Sequence, residues 1–123
     1  MGQSYNYTTN RETKFSPLEK FDVQEIVAAC TVDWFNQALT EVDDSIIRLG
    51  IVQGEYHWHK HEQEDEFFFV LSGQLLVDLE DRSITLNAQE GVTIPKGVVH
   101  RTRANEKTVV LMVEKNTAEP TGD

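Results

Sequence analysis

From Ser45 onward, short apolar runs alternate with polar breaks. The β-prone runs cover 46–53, 57–61, 66–71, 74–79, 83–86, 92–94, 99–103 and 108–113. Turn signals separate them: Gln53-Gly54, Ser72-Gly73, Glu80-Asp81, Gln89-Glu90-Gly91 and Ala104-Asn105. Many short strands at roughly ten-residue spacing predict an all-β sandwich or barrel. One run is apolar on both sides. In EFFFVL, Glu66, Phe68 and Val70 share one face of a strand, and Phe67, Phe69 and Leu71 share the other. A barrel covers one face, and the other needs the N-terminal segment or a second subunit. A homodimer is the expectation.

The first third of the chain is patterned differently. Residues 1–14 are polar and aperiodic, and read as a flexible arm that could pair as an edge strand. Ser16-Pro17-Leu18-Glu19 has the form of a helix start: Ser can cap, Pro suits the first helical position, and Glu19 completes a capping box. A short helix is expected there. Residues 23–39 fit either a helix or a strand and turn. The expected divisions are an arm at 1–14, an extension with a short helix and strand at 15–44, a barrel at 45–116 and a tail at 117–123.

Composition narrows the class. The chain has 123 residues, 39% hydrophobic and 26% charged, which suits one globular domain. The net charge of −10 argues against nucleic acid, whose binding depends on neutralising phosphates. No apolar run approaches the ~20 residues of a membrane helix, and no charged-then-apolar leader opens the chain. A lone Cys30 excludes an internal disulfide, so a cytoplasmic protein is expected. Acids cluster at 41–44, 62–66 and 78–81, beside apolar runs, and read as solvated loop residues. Lys96, Arg101, Arg103 and Lys107 gather late and could form a basic rim.

The stretch HWHKHEQEDEFFFVLSG, from His57 to Gly73, carries the chemistry. In a strand, His57, His59 and His61 point to one face, with Tyr56, Trp58 and Lys60 on the reverse. His59 and His61 are then close enough to hold one ion, although a His-x-His pair alone is more often a polar surface feature. Glu66 opens the next apolar run, where a carboxylate is unfavourable unless it is exposed or paired. Later, IPKGVVHR makes a turn at Pro95 and Gly97 and sends His100 into an apolar strand. His59, His61, Glu66 and His100 would leave one or two positions of an octahedral ion open.

These residues resemble the cupin superfamily, in its small single-domain bacterial form. His59-Lys60-His61, Glu66 and Gly73 match its first motif in spacing; Pro95, Gly97 and His100 match its second. The likeness runs from about Ile46 to Val113, and the tail NTAEPTGD also resembles that group's ending. It implies a jelly-roll-type β-barrel, usually dimeric, with a divalent transition metal (Fe, Mn, Ni, Zn or Cu) held by His59, His61, Glu66 and His100. Gly54 falls one residue late, Gln89 stands where a glycine is usual, and Asn105 is one residue late; these departures touch turns, not ligands.

His57 lies outside the motif. It is either an interior or rim polar residue, or a group near the ion acting in acid–base catalysis. Trp58 and Lys60 are expected in barrel packing and at a solvated tip. Phe68, Val70, Val77 and Thr102 are pocket or core; Arg101 and Arg103 point outward; Cys30 is a small buried residue. The functions implied are a metal-dependent enzyme on a small polar metabolite, with isomerase, lyase or decarboxylase chemistry or an iron dioxygenase, and alternatively a non-catalytic module binding a small ligand or a metal.

Overall fold

Every strand expected after Ser45 except one finds a partner in a single eight-stranded sheet. The computed structural model describes residues 6–123. Its strands are β1 (Thr8–Asn10), β2 (Trp34–Val42), β3 (Ser45–Glu55), β4 (Glu66–Ser72), β5 (Gln74–Leu79), β6 (Ser83–Asn87), β7 (Gly91–Ile94) and β8 (His100–Lys115). The pairing runs β1-β2-β3-β8-β4-β7, and β6 joins through β5 to β8. The sheet bends around a core without closing.

The hub is β8. The apolar runs at 99–103 and 108–113, expected as two strands, form one strand of 16 residues. Ala104-Asn105 does not break it, because β3 pairs along both halves. The first half also pairs with β5 from His100 to Arg103, and the second with β4 from Val109 to Glu114. One strand thereby belongs to both wings of the fold. Gly54 is likewise inside β3, not in a turn. It takes φ +109° where the register with β8 shifts, a bulge conformation that suits glycine.

Period-two alternation decides which side chains go inside. Trp34, Val52, Phe68, Val70, Leu75, Val77, Leu86, Ile94, Val110 and Met112 form the inner core with Tyr56. Fully burying each such side chain contributes roughly 1.5–3 kcal/mol of transfer free energy. The outer face of β2, β3 and β8 presents Leu39, Leu49, Ile51 and Val109. These are covered by Phe15, Phe21 and the helix α1 (Val23–Ala29). The N-terminal segment therefore does part of the covering that the two-faced strands require.

The helix is not where Ser16 would start it. The capping-box contact does form, with the Ser16 N–H donating to Glu19 Oε1 at 3.0 Å. However, Leu18 takes φ +70° with its side chain in solvent, which turns the chain instead of propagating a helix. The apolar spacing that can be buried begins later, at Val23, Ile26, Val27 and Cys30. Asp22 caps it by accepting from the Gln24 N–H at 2.8 Å. Residues 23–39 thus split into α1 and the start of β2. Cys30 is half-buried beneath this cover. Of the arm, β1 pairs parallel with β2; residues 1–5 lie outside the described residues. No helix among the described residues is long and apolar enough to cross a membrane.

Candidate metal centre

The segment 57–61 is not a strand. Its one ladder contact is a bridge between His59 and His100, each N–H donating to the other's carbonyl at 2.9 Å. The Gly97 N–H donates to His61 O at 2.7 Å. The Pro95-Gly97 turn therefore pins the histidine segment across the start of β8, with Gly97 at φ +82°. Glu66 opens β4, opposite Ile94 of β7 and Glu114 of β8.

Four side chains converge. Ligand-capable atoms of His59, His61, Glu66 and His100 lie within 4.8 Å of one another, His59 half-buried and the others buried. Glu66 Oε1 sits 3.3 Å from His100 Nε2 and 3.4 Å from His61 Nε2. The His61 contact is misaligned for a hydrogen bond, which leaves both ring nitrogens of this buried residue without one among the described residues. Carbonyls of His57 and Val98 lie 3.0 and 2.9 Å from Nδ1 of His59 and His100. When those nitrogens carry the proton, each Nε2 lone pair is directed elsewhere, and that of His100 confronts the Glu66 carboxylate. A cation among these atoms removes the conflict, so the donor set fits a divalent transition metal.

The electrostatics agree. Burial, then neighbouring His100, lowers His59 to about 4, so its imidazole is neutral at pH 7. Burial opposes ionisation of Glu66, but the adjacent His100 and His61 imidazoles outweigh it and hold the carboxyl below its usual range. Burial works against charge on His61 too, and the Glu66 carboxylate overcomes it, raising that imidazole.

The centre opens on a cavity with about 40 Å³ for the centres of water-sized molecules. That is roughly three waters at ~10–15 Å³ each. Trp34, Asn36, Phe68, Thr102 and Met112 line it beside His59 and Glu66. Val70 and Val77 do not. Both are fully buried core, further along the same faces of β4 and β5 that carry Phe68 and Leu75. Asn36 Oδ1 is buried in the cavity wall without a hydrogen bond among the described residues.

Because 57–61 is not a strand, the parity argument fails for its neighbours. Tyr56 is inside, lining the cavity and packed edge-on to His59 at 5.3 Å. Its hydroxyl donates to Pro120 O at 3.0 Å; burial, then Tyr7, pushes its ionisation well above the ordinary value. His57 is outside the cluster. Its Nδ1 lies 3.4 Å from the Tyr7 hydroxyl and its Nε2 2.7 Å from Thr121 O, linking the arm to the tail. Trp58 is exposed instead of packed in the barrel, with the Arg101 guanidinium 5.2 Å from its ring centroid. Lys60 is at the surface, paired with Glu62.

Two acids expected in solvent are buried. Asp78 accepts from Arg101 Nε at 2.9 Å and Arg103 Nε at 2.7 Å, which holds its carboxyl low and occupies both arginines. Glu64 is 8% exposed and accepts from Thr117 Oγ1 at 2.9 Å.

Sequence reasoning also missed Arg48 and Glu114, a buried ion pair at 2.7 Å. The signal was present. Arg48 shares strand parity with Gly50 and Val52, and Glu114 with Val110 and Met112, all inward-facing. The tail 117–123 was missed as part of the site. Pro120 borders the cavity, the Asp123 N–H donates to Lys60 O at 2.9 Å, and a Cβ on Gly122 would fall 2.5 Å from His59 Cβ.

Comparison with known proteins places this arrangement in context. The sequence model of the Cupin domain matches residues 50–114. An uncharacterised Bacillus subtilis protein, YdbB, is 47% identical over 85 residues, 68% of this chain and 75% of that one. A crystal structure of a cupin-2 domain protein from Shewanella frigidimarina superimposes with a TM-score of 0.73 at 33% identity, covering 77% of this chain and 93% of its own. A Neisseria meningitidis protein gives a TM-score of 0.69 at 26% identity, over 79% and 99% of the two chains.

Proposed function

Given that this chain belongs to the cupin family, we propose that it binds one divalent transition metal through His59, His61, Glu66 and His100 and presents it to a small molecule in the adjoining cavity. The convergence of these four donors, with both His61 nitrogens buried and unbonded, is the observation that carries the reading. Three neutral imidazoles and one carboxylate leave a divalent ion about one net positive charge and open coordination positions. When bound, the ion would supply Lewis-acid polarisation of a carbonyl, or redox chemistry with O₂ if it is iron(II). The chain's own contribution is placement: the His59–His100 bridge and the register of β4 hold the donors, and Trp34, Phe68 and Met112 restrict water.

A non-catalytic small-ligand or metal-binding module is the second reading. What favours it is that the two protonic groups beside the cluster are engaged elsewhere, Tyr56 with Pro120 and His57 with Thr121 and Tyr7. Phe67 and Phe69, half-buried on the outer side of β4, support a homodimer, and the lone Cys30 supports the cytoplasm.

Metal analysis of untagged protein tests the reading. About one ion per chain is expected after loading, and none in His59→Ala or His100→Ala. Folded wild-type protein that takes up no metal would refute it. Oxygen uptake with iron(II) across thiols, diketones and sugar phosphates separates the two readings: turnover favours the enzyme, tight binding without turnover the module.

A further inference from the structure

Glu64 is a carboxylate withdrawn from water two residues before Glu66, and the four-donor centre does not use it. Burying such a charge is costly unless another group uses it. Thr117 Oγ1 satisfies one of its oxygens. Beyond that lies His61: one of its nitrogens and carboxylate oxygens of Glu64 and Asp123 lie within 4.8 Å of one another. His61 is 2% exposed, and neither ring nitrogen has a hydrogen bond among the described residues.

An imidazole that gives one nitrogen to a cation carries its proton on the other, and that N–H needs an acceptor. His59 and His100 have theirs in the carbonyls of His57 and Val98. His61 lacks one. We propose that Glu64, anchored by Thr117, is the positioning carboxylate of His61. It accepts the outer ring N–H directly or through one water, a span that 4.8 Å allows. This fixes the tautomer that offers the inner nitrogen to the centre. Asp123 is exposed and already accepts from the Glu62 N–H at 2.6 Å, so it contributes less. Because Thr117 lies in the tail, the tail takes part in metal retention. The inference rests on the metal-binding reading above.

The test is zinc affinity by chelator competition for wild type, Glu64→Gln, Thr117→Val, the double variant and Glu62→Gln, with the melting temperature of each metal-free protein. Glu64→Gln should weaken zinc binding about 10–100-fold, the usual loss when an outer partner of a metal ligand is removed. Thr117→Val should lose less in the same direction, and the double variant no more than Glu64→Gln, because Thr117 acts through Glu64. Glu62→Gln removes the same charge from an exposed neighbour and should stay within about twofold of wild type. If Glu64→Gln fails to fold, Thr117→Val carries the test, since it keeps the carboxylate and removes only its anchor. A purely structural role would lower melting temperatures and leave zinc affinity alone, which would overturn the inference. So would a second zinc ion in wild type that Glu64→Gln loses, because His61, Glu64 and Asp123 would then be a cation site of their own. Wild type that binds no zinc defeats the functional reading and this inference together; normal zinc binding by Glu64→Gln and Thr117→Val defeats this inference alone.

Discussion

Replacing Arg48 with Met removes the one hydrogen-bond partner that the Glu114 carboxylate has among the described residues. The Arg48–Glu114 side chains are 3% and 1% exposed, and Glu114 stands opposite Glu66 in the β4–β8 register. Burial, then the Glu66 charge, already raises the Glu114 carboxyl above its ordinary 4.5 with Arg48 present. Removing one partner of such a pair typically costs about 3–5 kcal/mol, a large share of a domain's ~5–15 kcal/mol. In urea, with a slope of ~1.5 kcal/mol/M, the unfolding midpoint of metal-free Arg48→Met at pH 8 should fall by about 2–3 M. Replacing both residues, as Arg48→Met with Glu114→Leu, removes both buried charges and should restore stability to within about 1 kcal/mol of wild type or better. The pH dependence has a fixed sign. A raised carboxyl favours the fold while protonated, and that advantage is lost as pH rises from 4.5 through the folded value. The Arg48→Met deficit should therefore be smaller at pH 5 than at pH 8. A midpoint shift under about 0.5 M at pH 8, or a double variant as unstable as the single, would refute the reasoning.

Other expectations bear on the turn, the centre and its neighbour. Gly73 has φ +87°, and a Cβ there would fall 2.5 Å from Thr108 Oγ1 and 2.8 Å from Lys107 O. Gly73→Ala should thus cost at least ~2 kcal/mol in urea unfolding, and Gly54→Ala, with φ +109° and open space, only the backbone strain of about 1 kcal/mol. Metal affinity should rise with pH and binding should release protons, because the ion displaces a proton from the raised His61 and none from the lowered His59. Calorimetry in buffers of different ionisation enthalpy reads this, and a pH-independent affinity would contradict it. His57→Ala should keep its metal by elemental analysis and lose about 1 kcal/mol from the bond to Thr121; loss of the metal would place His57 in the centre.

What was legible in the sequence followed from local rules. Period-two patterning placed β3 to β8 and put Glu66 inward with Phe68 and Val70, since alternation survives wherever a strand has one buried face. The histidine segment escaped because it alternates like a strand but is held by only one bridge, so Tyr56 and Trp58 took the opposite sides. Glu64 and Asp78 escaped for another reason. Acidic residues beside a strand read as solvated until the partner is known, and their partners Thr117, Arg101 and Arg103 lie 53, 23 and 25 residues away. The same holds for Arg48 and Glu114, which are 66 residues apart. The tail carries no periodicity at all. Most of its contacts are made by its backbone groups, which any sequence could offer, and the side-chain contacts of Thr117 and Asp123 reach residues more than 50 positions away.

Anomalous diffraction from crystals of zinc-loaded protein tests the central claim most directly. One peak per chain is predicted within about 2.0–2.2 Å of nitrogen atoms of His59, His61 and His100 and an oxygen of Glu66. A peak placed instead at His57 or between Glu64 and Asp123, with the four inner donors unligated, would contradict it.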